Sequence, residues 1–276
     1  MMKIKTFFWQ YIAAFFRFIA KISQDSRNYF KNGSFAIAVY PYLMHPCFRK
    51  LSTIITVLLG VLAAYGGVFY LFGEHVAILF SERSITTYVH HSTLELFFPL
   101  GTVIDGKENT LSNLPQILRA AFSYQGYIIV PFYLLAIYPL SRKRLWLLEF
   151  LLALGFTIGC ALVAEITSGR YTEGGLQNFG LSLTIILGNL MLLMIGFDLN
   201  KSSTPRLKKA TLWLGLIGLI CVGVTLGYPS LFSPMLERIS LYTIMIWEIA
   251  AGFAVIQHIL HKDQPLEDED EEDEIY

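Results

Sequence analysis

Charge is scarce in this chain of 276 residues: only 15% are Asp, Glu, Lys or Arg, against about a quarter in soluble domains. Set beside 54% hydrophobic residues, that scarcity excludes an ordinary water-soluble globule. Cysteine is scarce too. Cys160 and Cys221 lie in apolar runs and Cys47 in a basic stretch expected to face the reducing side, so no disulfide framework is implied. Motifs for chemistry are also missing. The chain has no HExxH or CxxC spacing, no phosphate-binding glycine loop and no hydrolase elbow. Neither catalytic residues nor a metal or cofactor are expected, and nothing points to nucleic acid.

What is present is a series of long apolar runs. A helix needs about 20 mostly apolar residues to cross the hydrocarbon core, and six stretches qualify: 51–72, 124–140, 145–166, 178–197, 210–228 and 239–258. The expected fold is all-α, a polytopic transmembrane bundle of about six spans. Pro131 inside the second stretch predicts a kink there, because proline removes a helical hydrogen bond.

The 21 basic and 21 acidic residues are sorted, not mixed. Basic residues cluster before the first span, at Arg142–Arg144 between the second and third, and at Lys201, Arg206, Lys208 and Lys209 between the fourth and fifth. Positive charge accumulates on the cytoplasmic side, which predicts cytoplasmic termini. The sequons at Asn32 and Asn200 fall on that same side, in keeping with a bacterial plasma membrane.

Three segments flank or interrupt the spans. Residues 1–50 form a basic segment in which Trp9, Phe15, Phe16 and Phe18 alternate with Lys3, Lys5, Arg17 and Lys21. That composition predicts an amino-terminal amphipathic helix lying in the interface against anionic lipid, with a cytosolic partner-binding helix as the alternative. Residues 73–123 form a large outer loop of the 51–260 membrane domain, with a short strand at 85–89, a turn at Pro99, Gly101, Asp105 and Gly106, and a surface helix built on Leu111, Leu114, Leu118 and Phe122. Residues 261–276 carry eight consecutive acids, Glu267 to Glu274. Such a block repels itself and stays disordered, either as a solvated tail that aids solubility or as a docking site for a basic protein partner.

Polar groups inside the spans are the candidates for function. Glu248 stands near the middle of the sixth span among Ile246, Trp247 and Ile249, where a charge costs about 2.5–3.5 kcal/mol. It must face the bundle interior, as a proton or cation site or as a structural hydrogen-bonding group for Asn189 or Thr225. Glu149 and Glu165 lie near span ends, where Lys143 or Arg144 and Arg170 can pair with them. His90, His91 and Glu95 offer too few ligands for zinc. Small residues at four-residue spacing predict close helix contacts at Gly155 and Gly159, at Gly223 and Gly227, and at Gly60 and Ala64.

The segment LERISLYTIMIWEI, Leu236 to Ile249, resembles the last helix of a family of uncharacterised six-helix prokaryotic integral membrane proteins, with Arg238 opening the helix and Trp247 following. The resemblance implies a six-helix bundle, makes Arg238 a candidate binding residue and supplies no activity. The two halves of the chain show no inverted repeat of the kind common in carriers. Two functions follow as expectations: a non-catalytic membrane component that organises lipid or partner proteins, or a small-solute or proton-coupled transporter using Glu248.

Overall fold

A computed structural model describes residues 2–33, 37, 39, 42, 45–80, 90–104, 107–108, 114–165, 175–200, 204–228 and 232–262. Among these residues seven helices carry the fold: α1 (Met2–Asn32), α2 (Pro46–Leu79), α3 (Pro115–Phe132), α4 (Trp146–Ala164), α5 (Gly175–Asp198), α6 (Pro205–Gly227) and α7 (Ser233–Lys262). A two-residue antiparallel ladder, β1 (Val103–Ile104) with β2 (Lys107–Glu108), is the one strand pair among the described residues. Helices α2 to α7 are each long and apolar enough to cross a membrane, as expected of an integral membrane protein. Each packs on the next in sequence, and α7 packs back on α2, so the six close into a ring.

Small residues decide how closely the ring closes. A methyl group added at Gly252 would overlap the Gly60 carbonyl, and one at Gly67 would overlap the Met245 carbonyl, so α2 and α7 touch backbone to backbone. Gly159 meets Gly180 and Thr184 in the same manner, and Gly155 meets Leu187, which joins α4 to α5. A methyl group added at Gly223 or Gly227 would meet nothing within 4 Å among the described residues. Helix α6 instead approaches α5 through Gly215 and Gly218, one helical face away. It is the least buried span, with Trp213, Ile220 and Leu226 exposed.

Two expectations about the first outer loop are corrected. The first span does not end at residue 72, because α2 runs to Leu79 and so extends roughly 50 Å at 1.5 Å per residue. From Leu114 onward the stripe expected to form a surface helix makes the opening turns of α3 inside the bundle, with Leu118, Ala121 and Phe122 fully buried, while Leu111 lies outside the described residues. Its apolar face meets Phe97 and Tyr70 instead of lipid, at ring separations of 4.8 and 5.4 Å from Phe122. The strand at 85–89 lies outside the described residues, as does the acidic tail beyond Lys262.

Between α2 and α3 a 3-10 turn, Thr93–Phe97, sits across one end of the ring and touches α3, α4, α5 and α7. Its Leu94, Leu96 and Phe97 are buried, so it plugs that end with apolar side chains. Ser92 caps it by accepting from the Leu94 N–H at 3.2 Å, and Gly101, at φ 80°, makes the turn that follows. At the other, basic end, Pro131 is followed by a π turn (Tyr133–Ile137) and a 3-10 turn (Tyr138–Leu140). Pro139, which has no N–H to give an α-helical ladder, lies within that 3-10 turn.

Candidate functional site

Polar side chains inside the ring fall into layers, and each layer joins different helices. In the middle, Glu248 of α7 is 3% exposed. Gln125 of α3 donates from Nε2 to Glu248 Oε2 at 3.3 Å, and the same amide reaches Met245 Sδ and the Gly66 carbonyl of α2. Gln125 Oε1 is buried with no partner among the described residues. Tyr124, one residue earlier, donates to the Leu62 carbonyl at 2.9 Å. Gly66 makes room for this layer, since a Cβ there would press on the Tyr124 ring and lie 3.7 Å from Glu248 Oε2.

Glu248 is not the partner of Asn189 or Thr225. Asn189 Nδ2 donates to the Ile185 carbonyl at 2.9 Å and the Ser240 carbonyl at 3.0 Å, while its Oδ1 accepts from Thr243 at 2.7 Å. Gly218 lies directly against that amide, and Ser240 Oγ donates to the Gly218 carbonyl at 3.0 Å. Thr225 donates back to Cys221 within its own helix. The reason is angular: Thr243 and Glu248 are five residues apart, roughly 140° around the helix, so α7 turns them toward different neighbours. A further neutral bond, Trp247 Nε1 to Thr211 at 3.0 Å, ties α7 to α6.

At the plugged end, Arg238 proves to be a buried helical residue, and its Nε lies 3.2 Å from Glu74 Oε1 of α2. Removing either partner of such a pair leaves a costly unpaired charge. Beside it, Glu237 Oε1 accepts from the Thr93 N–H at 3.0 Å and from Ser92 Oγ at 3.3 Å, which holds the plug in place. Arg119 supports it from α3, donating to the Phe97 carbonyl at 2.8 Å. His91 Nδ1 and Glu95 Oε2 lie 2.6 Å apart across one turn. Among the described residues no three His, Cys, Asp or Glu side chains gather as metal ligands would.

Glu149, expected to pair with Lys143 or Arg144 near water, is fully buried, and it accepts from the Tyr133 hydroxyl at 2.7 Å. The π turn places that tyrosine against α4. Glu165 accepts from Tyr127, while Arg170 lies outside the described residues. Asp198, at the end of α5, accepts from the Arg144 N–H at 3.0 Å and the Leu145 N–H at 3.4 Å, so it caps the start of α4. Lys208 donates to the Phe197 and Leu199 carbonyls at 3.0 and 2.7 Å, where a cation suits a helix C-terminus.

Around this basic end, α1 docks on α4 through Trp146 Nε1, which donates to the Ser23 carbonyl at 2.9 Å. That brings Arg27 and Lys31 of α1 toward Lys143, whose ammonium lies 4.9 Å from the Tyr138 ring centre. The Lys143 pKa is held below the usual lysine value, first by burial and then by the positive charges of Arg27 and Lys31. Sequence reasoning missed Glu74, Gln125, Glu237 and Asp198. The signal for Glu74 was the stripe Gly66, Tyr70, Gly73, Ala77, which carries the buried face of α2 past residue 72 at helical spacing. No family model, curated protein or solved structure matches this chain.

Proposed function

We propose that this protein is a non-catalytic membrane component that gathers anionic lipid around its basic end, with the ring of six spans as a fixed frame. The observation that carries the reading is the convergence of Arg27 and Lys31 with Lys143, cations from two separate elements drawn together by the Ser23–Trp146 contact. Like charges so placed repel one another unless anions lie between them, and lipid phosphates at the headgroup level supply such anions. Trp9, Phe15 and Phe18, exposed along α1, suit a helix lying in the interface. In this reading the basic end is cytoplasmic, as are both termini, and the membrane is a bacterial plasma membrane. The frame is fixed because α2 and α7 meet backbone to backbone one turn to either side of Glu248, at Met245 and at Gly252. The acidic tail is the docking segment for a basic partner protein.

Nitroxide labels at Phe15 and Phe18, in full-length protein reconstituted into phosphatidylcholine vesicles with or without phosphatidylglycerol, test the reading. Lipid-like oxygen accessibility that rises with phosphatidylglycerol, and falls in Arg27→Ala/Lys31→Ala/Lys143→Ala, is expected. Labels facing water in both vesicles overturn it.

A second reading, a proton-coupled carrier using Glu248, draws on one observation: Gln125 Oε1 beside Glu248 is a buried acceptor without a donor among the described residues, open to a proton or a water. Proton uptake by dye-loaded proteoliposomes that disappears in Glu248→Gln would establish the carrier over the fixed frame.

A further inference from the structure

At the basic end a cleft of about 380 Å³ opens between α2, the irregular end of α3 and α7, within the range of small-ligand sites. Its polar wall is Arg49, Ser52, Thr53 and Thr56 on one face of α2, with His258 opposite on α7; its apolar wall includes Pro139 and Val255. We propose that this cleft is a binding site for the phosphate of an anionic phospholipid.

The donors converge without any acceptor to satisfy them. Among the described residues, the Arg49 guanidinium meets no carboxylate, and neither the Ser52 hydroxyl nor the His258 ring makes a hydrogen bond. Thr53 and Thr56 donate to the Arg49 and Ser52 carbonyls at 3.1 and 2.8 Å, which commits their hydroxyl protons and leaves Arg49, Ser52 and His258 as the binding groups. A guanidinium with two further donors around one volume matches a tetrahedral phosphate, which takes charge-assisted bonds from several directions. No carboxylate is among the described residues that line the cleft.

Position selects a lipid over a soluble phosphate. Arg49 stands in the first turn of α2 and His258 in the last turns of α7, at the level where a span leaves the hydrocarbon. Leu135 in the cleft wall and Ile55 on the adjoining face of α2 are exposed, on a surface of the membrane-crossing helices that acyl chains would cover. The same molecule would place its phosphate on Arg49 and its chains along those residues. The site stands on its own residues and is separate from the Arg27, Lys31 and Lys143 cluster, so either can fail alone.

Native mass spectrometry of the full-length protein, released from nanodiscs of phosphatidylcholine doped with phosphatidylglycerol, tests the site. One phosphatidylglycerol retained per chain is expected, with retention reduced about tenfold in Arg49→Ala/His258→Ala, the order of a lost charge-assisted contact. Ser52→Ala, an exposed and conservative change, should reduce it less. Retention should persist in Arg27→Ala/Lys31→Ala/Lys143→Ala, which separates this site from the looser lipid belt. Unchanged retention in the Arg49 and His258 double variant overturns the proposal, provided circular dichroism shows the variant folded; should it fail to fold, the same reading is taken from Ser52→Ala with Arg49→Ala. Displacement of the lipid by inorganic phosphate would assign the cleft to a soluble phosphate and overturn the lipid occupant.

Discussion

Asn189 and Glu248 lie inside the same ring, yet their surroundings differ. The amide of Asn189 makes three hydrogen bonds to α5 and α7, with α6 held against it through Gly218. The carboxyl of Glu248 receives one bond, from Gln125, in a seam that glycine has narrowed to backbone contact. A neutral amide can complete its bonding within lipid and so acts as a clamp between spans. Glu248 in the same medium accepts a single donor among the described residues, and its neighbours settle whether it is a fixture or a site. Equal hydropathy penalties therefore mark unequal roles.

The clamp at Asn189 can be broken from the outside. Gly218→Leu drives a side chain into that amide, and a loss of about 3 kcal/mol or more is expected from overpacking plus the displaced polar group. Thermal unfolding in detergent measures it, and an unchanged midpoint would mean α6 is not clamped there. Asn189→Leu removes the three bonds, yet only about 1–2 kcal/mol should be lost, since interhelical hydrogen bonds in lipid are individually weak. The comparison sharpens at Glu248→Gln. That variant keeps an oxygen for Gln125, so if the acid is a fixture, unfolding should shift by no more than about 0.6 kcal/mol, the average worth of one interhelical hydrogen bond in lipid. A large shift would show that the charge or proton itself supports the bundle.

An effect of the opposite sign is expected at Gly223→Ala, where an added methyl meets nothing within 4 Å among the described residues. The helix should gain up to about 1 kcal/mol from alanine's higher propensity. A loss instead, or a change in molecular mass by light scattering, would reveal that the Gly223 and Gly227 face packs on a second copy.

Much of the fold is legible in the amino-acid sequence. Each apolar run of about 20 residues becomes a span, because length and hydropathy are local properties that the bilayer reads directly. The candidate site is legible only in part. Glu248 and Asn189 stand out as polar residues in apolar runs, whereas Glu74 does not, because hydropathy falls before it is reached. Helix α2 continues beyond that point, since Tyr70, Glu74 and Ala77 are covered by protein and need no lipid. The same cause misplaces Leu118 and Phe122, whose amphipathic stripe fits a membrane surface as well as a plugged ring mouth. The position of Glu149 in its span suggests contact with water, and Pro131 alone does not foretell the π turn that delivers Tyr133 to it.

Composition and hydropathy dictate the number of spans, the sorting of basic residues to alternate loops and the acids that must hide from lipid. These follow from transfer free energies that each segment carries alone. Packing in three dimensions sets the rest: which helices are neighbours, that Thr93–Phe97 plugs one end, that Arg238 pairs with Glu74, and that Arg49 and His258 share a cleft. Those outcomes depend on where small residues let backbones meet and on how far around each helix a polar group turns. Both are relations between segments, and no single segment encodes them.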